Sequence, residues 1–130
     1  MTFRLLASGA LLCASVLPAL GQKIDPRREP ATTVAEAIRV LERKDYATFL
    51  QKFARPEELK ELLAKKTIEE VSAEFAKEKA ADVLLALKAA ATMTPALSRE
   101  GTRADYRFEK PIGGESRITL EKIGEYWYFR

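Results

Sequence analysis

The chain has 130 residues, which suffice for one domain of ordinary size but not for two. Hydrophobic residues make up 47% of it, charged residues 32%, and the formal net charge is only +3, a balance typical of a soluble globular protein rather than a disordered one. Histidine is absent and the only cysteine is Cys13, in the N-terminal apolar segment. The rest of the chain therefore lacks the residues for Ser-His-Asp or Cys-His nucleophile systems, Cys/His zinc sites, His- or Cys-ligated haem and iron–sulfur clusters.

Residues 1–21 have the layout of a secretory signal peptide. A single charge at Arg4 precedes an apolar run, and the small residues Ala19 and Gly21 occupy positions −3 and −1 of a cut before Gln22. The run is shorter than the ~20 residues that span a bilayer, which disfavours an uncleaved membrane anchor. We therefore expect an exported protein, periplasmic or secreted, with no stable membrane span after cleavage near Gly21.

A lipoprotein signal would need a small residue before its cysteine, but Leu12 precedes Cys13, so lipid attachment is not expected. Cleavage would remove Arg4, one of the 22 basic residues, and the net charge would fall from +3 to +2. It would also remove Cys13, so the exported form would have no disulfide and would rely on its core for stability. Residues 22–30 are polar and contain two prolines, and they are expected to form a flexible lead to a single domain over residues 31–130.

Helix start signals recur between residues 31 and 70. Asp45 fits an N-cap, and Pro56 fits the first position of the helix that follows. A capping box pairs a Ser or Thr N-cap with a Glu or Gln three residues on, so that each satisfies a backbone N–H of the other. Two such boxes are predicted, at Thr33 with Glu36 and at Thr67 with Glu70.

The helical stretch from Thr67 to about Met93 changes phase along its length. Val71 and Phe75 share one side with Ile68, whereas Val83 and Leu87 share another side with Ala80 and Leu84. At about 100° per residue the two sides differ by roughly 90° or more, so one straight helix would aim its halves at different partners. We expect a break near residues 77–81.

From Pro95 onward the hydrophobic period becomes that of strands. Tyr106 and Phe108 alternate with charged residues, as do Ile118 and Leu120 in the next segment. A short strand near Leu97, a turn at Glu100-Gly101, a loop over residues 111–114, a II′ hairpin at Gly124-Glu125 and a terminal strand over residues 126–129 complete the pattern. Every connection is too short for a crossover helix, so the strands are expected to be antiparallel.

The predicted fold class is α+β, with N-terminal helices packed on a C-terminal three- or four-stranded antiparallel meander. One face of the sheet is apolar and the other is charged, so the helices should cover the apolar face. Tyr106, Phe108, Ile118 and Leu120 are then expected to pack against residues of the helices, namely Ile38, Leu41, Phe49, Phe53, Leu84 and Leu87.

Carboxylate and tyrosine chemistry is what the composition leaves available. Asp105 and Glu109 lie on one strand face with Arg103 and Arg107, which favours ion pairs on a solvated surface over an active site. Four tyrosines are weak candidates for a pocket, although core positions in an aromatic sheet explain them better. These are Tyr46, Tyr106, Tyr126 and Tyr128.

No catalytic, cofactor-binding or metal-binding residue is assigned, and no cofactor is expected. The chain has neither GxxxxGK[ST] nor GxGxxG, so phosphate-cradling loops lack support. The low net charge, the absence of a basic patch in the sequence and the predicted export argue against nucleic acid as a partner.

The order of elements resembles the nuclear-transport-factor-2-like, or cystatin-like cone, superfamily. The resemblance covers most of residues 31–130 and rests on a helix start, Lys44-Asp45-Tyr46 to Phe49-Leu50, and on the closing hairpin over residues 122–128. The chain also resembles small exported bacterial proteins of this superfamily. The resemblance implies a hollow between helices and sheet that holds a ligand or partner, in ketosteroid-isomerase-like enzymes and in domains without activity. Helix is predicted after Phe53, where the superfamily often has a strand, and no carboxylate matches a catalytic position.

We therefore expect an exported, non-catalytic domain that binds a small apolar ligand or a protein partner in the cell envelope. The alternative is a cofactor-free isomerase or hydrolase that uses an Asp or Glu with a Tyr in a cone-shaped pocket, which requires a carboxylate pointing into apolar walls. A third hypothesis is a homodimer that pairs through the charged face of the sheet.

Overall fold

The structure is a computed structural model, and it describes residues 24–130. Within that range five α-helices are followed by four β-strands, which confirms the predicted α+β class with helices N-terminal to the sheet. The predicted signal peptide at residues 1–21, with Cys13 and the cut near Gly21, lies outside the described residues. None of the described helices is long and apolar enough to cross a membrane.

The five helices of the described chain are short, between 8 and 13 residues each. Because isolated helices of this length are marginal in water, their stability must come from packing. Their bounds are Pro30–Glu42 (α1), Tyr46–Phe53 (α2), Pro56–Leu63 (α3), Ile68–Glu78 (α4) and Ala80–Ala90 (α5).

The strands form one sheet in the order β1-β2-β3-β4, and every neighbouring pair is antiparallel, as predicted for a meander. Register pairs β4 with the second half of β3 only, from Leu120 opposite Phe129 to Ile123 opposite Tyr126. Residues 115–118 therefore have no β4 partner. The strands are Ala96–Ser98 (β1), Arg103–Ile112 (β2), Glu115–Ile123 (β3) and Tyr126–Phe129 (β4).

The capping box predicted at Thr33 and Glu36 does not form. Helix α1 begins three residues earlier, at Pro30, because the fixed φ and missing N–H of proline suit the first helical position. Thr33 is therefore buried inside the helix, where its hydroxyl donates to the Glu29 carbonyl oxygen at 2.6 Å. Glu36 instead forms an ion pair with Arg39 at 2.8 Å.

The other start signals are confirmed. Asp45 caps α2 by accepting from the Thr48 N–H at 3.3 Å, and Pro56 is the first residue of α3. The second capping box forms at α4, where the Glu70 N–H donates to the Thr67 hydroxyl at 3.1 Å and the Thr67 N–H donates to the Glu70 carboxylate at 2.9 Å.

The predicted break in the last helical stretch is present. Helix α4 ends at Glu78 and α5 begins at Ala80, while Lys79 between them has a φ of −130°. The two halves of the stretch are thus separate helices with different axes, and each can direct its apolar side independently.

The part of the expected flexible lead that the structure describes is docked on the domain. Residues Pro26–Arg28 form a 3₁₀ turn that contacts α1 and β4. The Arg27 guanidinium lies 4.3 Å from the centre of the Tyr126 ring and donates to the Lys52 carbonyl oxygen at 3.2 Å. It also donates to Asp25 at 2.9 Å, and this hydrogen bond lowers the pKa of Asp25 to about 2. Helix α1 begins at Pro30, the last residue of this segment.

The core lies between the helices and the apolar face of the sheet, as predicted. Tyr106 and Leu120 are fully buried there with Leu87 and Phe53. Other predicted core residues pack against this cluster while remaining partly accessible, namely Phe108, Ile118, Ile38 and Leu84. Trp127 is buried on the same face. Successive side chains of a strand point to opposite faces, so Trp127, which pairs with Lys122, points to the helices while its neighbours Tyr126 and Tyr128 point away from them.

Gly113 sets how closely α5 approaches the β2–β3 hairpin. Its φ is +59°, and a Cβ at this position would collide with the backbone carbonyl group of Asp82 in α5. The neighbouring Gly114 also has a positive φ, +81°, but a Cβ there would meet open space. A substitution at Gly114 therefore measures the energy of the positive φ alone, whereas a substitution at Gly113 measures that energy together with the steric conflict with α5.

We predict that Gly113→Ala lowers the free energy of unfolding by about 3 kcal/mol, whereas Gly114→Ala lowers it by about 1 kcal/mol. The larger effect reflects displacement of α5 from the hairpin in addition to the unfavourable φ. Urea denaturation of both variants measures the difference, and equal losses would show that the helix does not constrain position 113.

Candidate functional site

An open cleft of about 400 Å³ lies between α2, α4 and α5 and the ends of β3 and β4, and α3 adds Leu62 and Glu58 at its margin. Helices α2, α4 and α5 each present two apolar side chains four residues apart, which lie on one side of a helix. Ile118 of β3 and Phe129 of β4 close the cleft on the sheet side. The helical pairs are Phe49 and Phe53, Val71 and Phe75, and Val83 and Leu87.

The wall of this cleft is a cluster of four phenylalanines. Phe49 is at its centre, with ring centroids 5.2 Å from Phe75, 5.6 Å from Phe53 and 5.9 Å from Phe129. Phe49 and Phe53 are buried, whereas Phe75 and Phe129 are half-buried and offer ring surface to the opening. Centroid distances in this range are those of favourable aromatic pairs, so the four rings pack against one another and form an apolar wall.

The break at Lys79 brings two of the helical pairs into this one cleft. In a single straight helix, Val71 and Phe75 would lie on a different side from Val83 and Leu87. Separate axes for α4 and α5 allow both pairs to line the same opening. The change of phase in the sequence, which predicted the break, therefore brings both apolar pairs to one shared surface.

The rim of the cleft is charged, and its acidic residues are all exposed. Glu58 pairs with Arg55 at 3.0 Å and Glu74 pairs with Lys66 at 2.7 Å, while Glu78 and Glu115 form no ion pair with other described residues. The basic residues of the rim are Lys79, Arg117 and Arg130. Among residues 24–130, then, no carboxylate of this cleft points into its apolar walls.

The four tyrosines considered as pocket candidates do not line this cleft. Tyr106 is buried in the core, where burial raises the pKa of its phenol. Tyr46 packs edge-on against Phe75 at 6.1 Å, outside the opening. Tyr126 and Tyr128 lie on the opposite face of the sheet, within 4.3 Å and 6.0 Å of the Arg27 guanidinium, and Tyr128 also borders a shallow hollow beside α3.

Asp105 is not the solvated surface residue that the sequence predicted. It is 8% exposed, because Arg103 and Thr119 cover it on the open face of the sheet. The Thr119 hydroxyl donates to its carboxylate at 2.6 Å and the Arg103 Nε at 3.0 Å. Burial raises the pKa of Asp105, but these hydrogen bonds outweigh it, so the pKa lies below its usual value. Glu109, its expected companion, is exposed.

Sequence reasoning placed Phe49 and Phe53 in the core but did not identify the cleft beside them. Phe75 and Phe129 carry no signal beyond ordinary spacing, and nothing in the local sequence distinguishes Arg117 or Arg130 from the other charged residues. Their convergence depends on the position where β4 ends and on the angle between α4 and α5, and neither is encoded in a local motif.

No three acidic side chains converge as metal ligands within residues 24–130. Comparison with known protein families, curated proteins and solved structures gives no match to the chain. The resemblance to the nuclear-transport-factor-2-like superfamily therefore stays a prediction, and the function must be argued from the cleft itself.

We predict that Asp105→Asn lowers the free energy of unfolding at pH 7 by about 2 kcal/mol, because Arg103 loses its buried partner. The folded pKa of Asp105 is below the unfolded value of 3.8, so its stabilising effect is complete above that value and is lost as pH falls through the folded pKa. The difference between variant and wild type should therefore shrink below about pH 4. Denaturation at several pH values measures it.

Glu109→Gln provides the matched control, since it neutralises an exposed carboxylate on the same strand and should change stability by less than about 0.5 kcal/mol. A difference between Asp105→Asn and wild type that persists unchanged at pH 2 would contradict the assigned role of the ionised carboxylate.

Proposed function

We propose that this chain is an exported, non-catalytic domain that binds a small apolar ligand in the phenylalanine cleft. The observation that carries the proposal is an accessible opening of about 400 Å³ with aromatic and aliphatic walls from three helices and the sheet. This size is within the range of ligand sites in proteins, which are mostly apolar with a few polar groups at the margin.

Binding explains the cleft better than catalysis. A proton-transferring carboxylate of the isomerase type is held in an apolar site that shifts its pKa toward neutrality. The carboxylates of the rim are exposed, and the buried Asp105 is on the other face of the sheet, where its hydrogen bonds lower its pKa. The described residues thus offer no acid or base suited to an isomerase or hydrolase.

Export rests on the N-terminal sequence pattern, and it fits a binding role in the cell envelope. Such a domain would hold a ligand or a partner's apolar group without a cofactor. The proposed relation to cystatin-like cone proteins agrees with a hollow at the junction of helices and sheet, although fold alone does not determine function.

A neutral apolar dye tests the binding site. Nile red should bind the protein purified from expression of the full chain with saturable, blue-shifted emission. We predict that Val83→Trp, which fills the cleft from α5, weakens dye binding about tenfold or more, because the indole occupies the volume of the ligand.

Leu85→Trp is the matched control, because Leu85 is on the same helix, is 56% exposed and does not line the cleft. It should bind Nile red within about twofold of wild type. Circular dichroism and urea denaturation establish that both variants are folded. Equal dye binding by the two folded variants, or no saturable binding by wild type, would refute the proposed site.

A further inference from the structure

A second hollow, of about 320 Å³, adjoins the phenylalanine cleft at the free half of β3. Its lining is polar and includes Arg103, Ser116 and residues that line the apolar cleft as well. The shared residues are Glu115, Arg117, Thr119 and Arg130. One continuous surface therefore runs from the phenylalanine rings to a group of arginines.

Two of the arginines in the hollow, Arg117 and Arg130, have no ion-pair partner among the described residues. Arg117 lies directly opposite Arg107 in the β2–β3 register, and like charges at such positions destabilise a sheet. Neither Arg117 nor Arg130 forms an ion pair within residues 24–130, and Arg103 is committed to Asp105. An anion in the hollow would relieve this repulsion, because guanidinium groups bind carboxylate and phosphate by charge-assisted hydrogen bonds.

The acidic residues around the cleft do not cancel this charge. Arg55 and Lys66 neutralise Glu58 and Glu74 on the helical side of the opening. Glu115 is the one acidic side chain that borders the arginine hollow among the described residues, and it is exposed at the start of β3. The side chains on the sheet side of the opening therefore carry a net positive charge, with Arg117 and Arg130 against Glu115.

We propose that the cleft binds amphipathic anions, in which an apolar chain enters the phenylalanine cleft and one carboxylate or phosphate head group binds Arg117 and Arg130. This rests on the proposed function, because the apolar part occupies the same cleft. Residues 115–118, whose backbone has no β4 partner, border the head-group position and leave it open to solvent. A second copy of this chain is a poor occupant, since pairing through this face would bring like charges together.

Competition with Nile red measures the contribution of the ligand's charged head group separately from that of its alkyl chain. Decanoate and decyl phosphate should displace the dye from the wild-type protein about tenfold more effectively than decanol, which has the same chain and no charge. The preference should decrease as salt is raised, because the head-group site is open to solvent. Acetate and inorganic phosphate, which lack the chain, should not displace the dye.

Substitutions assign the preference to particular residues. Arg117→Gln and Arg130→Gln should each remove most of the preference for decanoate over decanol and leave decanol binding within about twofold. Arg107→Gln is the matched control, because it removes the same charge from the same face without lining the hollow. It should keep most of the preference and lose only the part that comes from relief of the Arg107–Arg117 repulsion, whereas Glu115→Gln should increase decanoate affinity by removing the opposing charge.

The outcomes distinguish the two proposals. Equal displacement by decanol and decanoate, with Val83→Trp still blocking both, would refute the anion site and leave the apolar site intact. Loss of preference in Arg107→Gln as large as in Arg117→Gln would refute the assigned residues. Sedimentation with phosphatidylglycerol vesicles without any displacement by decanoate would show a membrane surface as the ligand instead, and would overturn the proposal.

Discussion

The break between α4 and α5 is the constraint on which the rest of this architecture depends. In one straight helix Val71 and Leu87 would lie about 160° apart around the helix axis, so they could not both line the same cleft. With separate axes, both helices line the cleft, and α5 also places its Asp82 carbonyl against Gly113 of the β2–β3 hairpin. The position of the hairpin and the opening beside it are therefore set by one interruption at Lys79.

The open face of the sheet is divided into two halves with different roles. On β4, Tyr126 and Tyr128 are covered by Arg27 of the N-terminal turn, whose guanidinium makes cation–π contacts with their rings. On β2 and β3, the arginines remain without such a cover. The anion site that we propose therefore lies on the charged half of this face and not on the aromatic half.

Asp105 and the acidic residues of the cleft rim differ in burial and in hydrogen bonding. Asp105 is buried and fully engaged by Thr119 and Arg103, so it holds two strands together and is not free to exchange protons at neutral pH. Glu115 and the other acids of the cleft rim are instead exposed to solvent.

Local signals in the sequence determined the class of fold and most element boundaries. Hydrophobic period, the Thr67–Glu70 capping box and the phase change near Lys79 each report energies that act within a few residues, and all three are confirmed. The same capping pattern at Thr33 was misleading, because Pro30 starts the helix earlier and its effect on that helix outweighs the cap.

Tertiary structure alone decided where the site lies. Burial of Asp105 arises from a partner on another strand, and the convergence of four phenylalanines requires α2, α4 and β4 to meet. The arginine hollow borders the half of β3 that β4 does not pair, and its lining joins Arg103 of β2, residues of β3 and Arg130, which no local motif brings together. Such contacts join residues far apart in the chain, so a single sequence encodes them only through the fold as a whole.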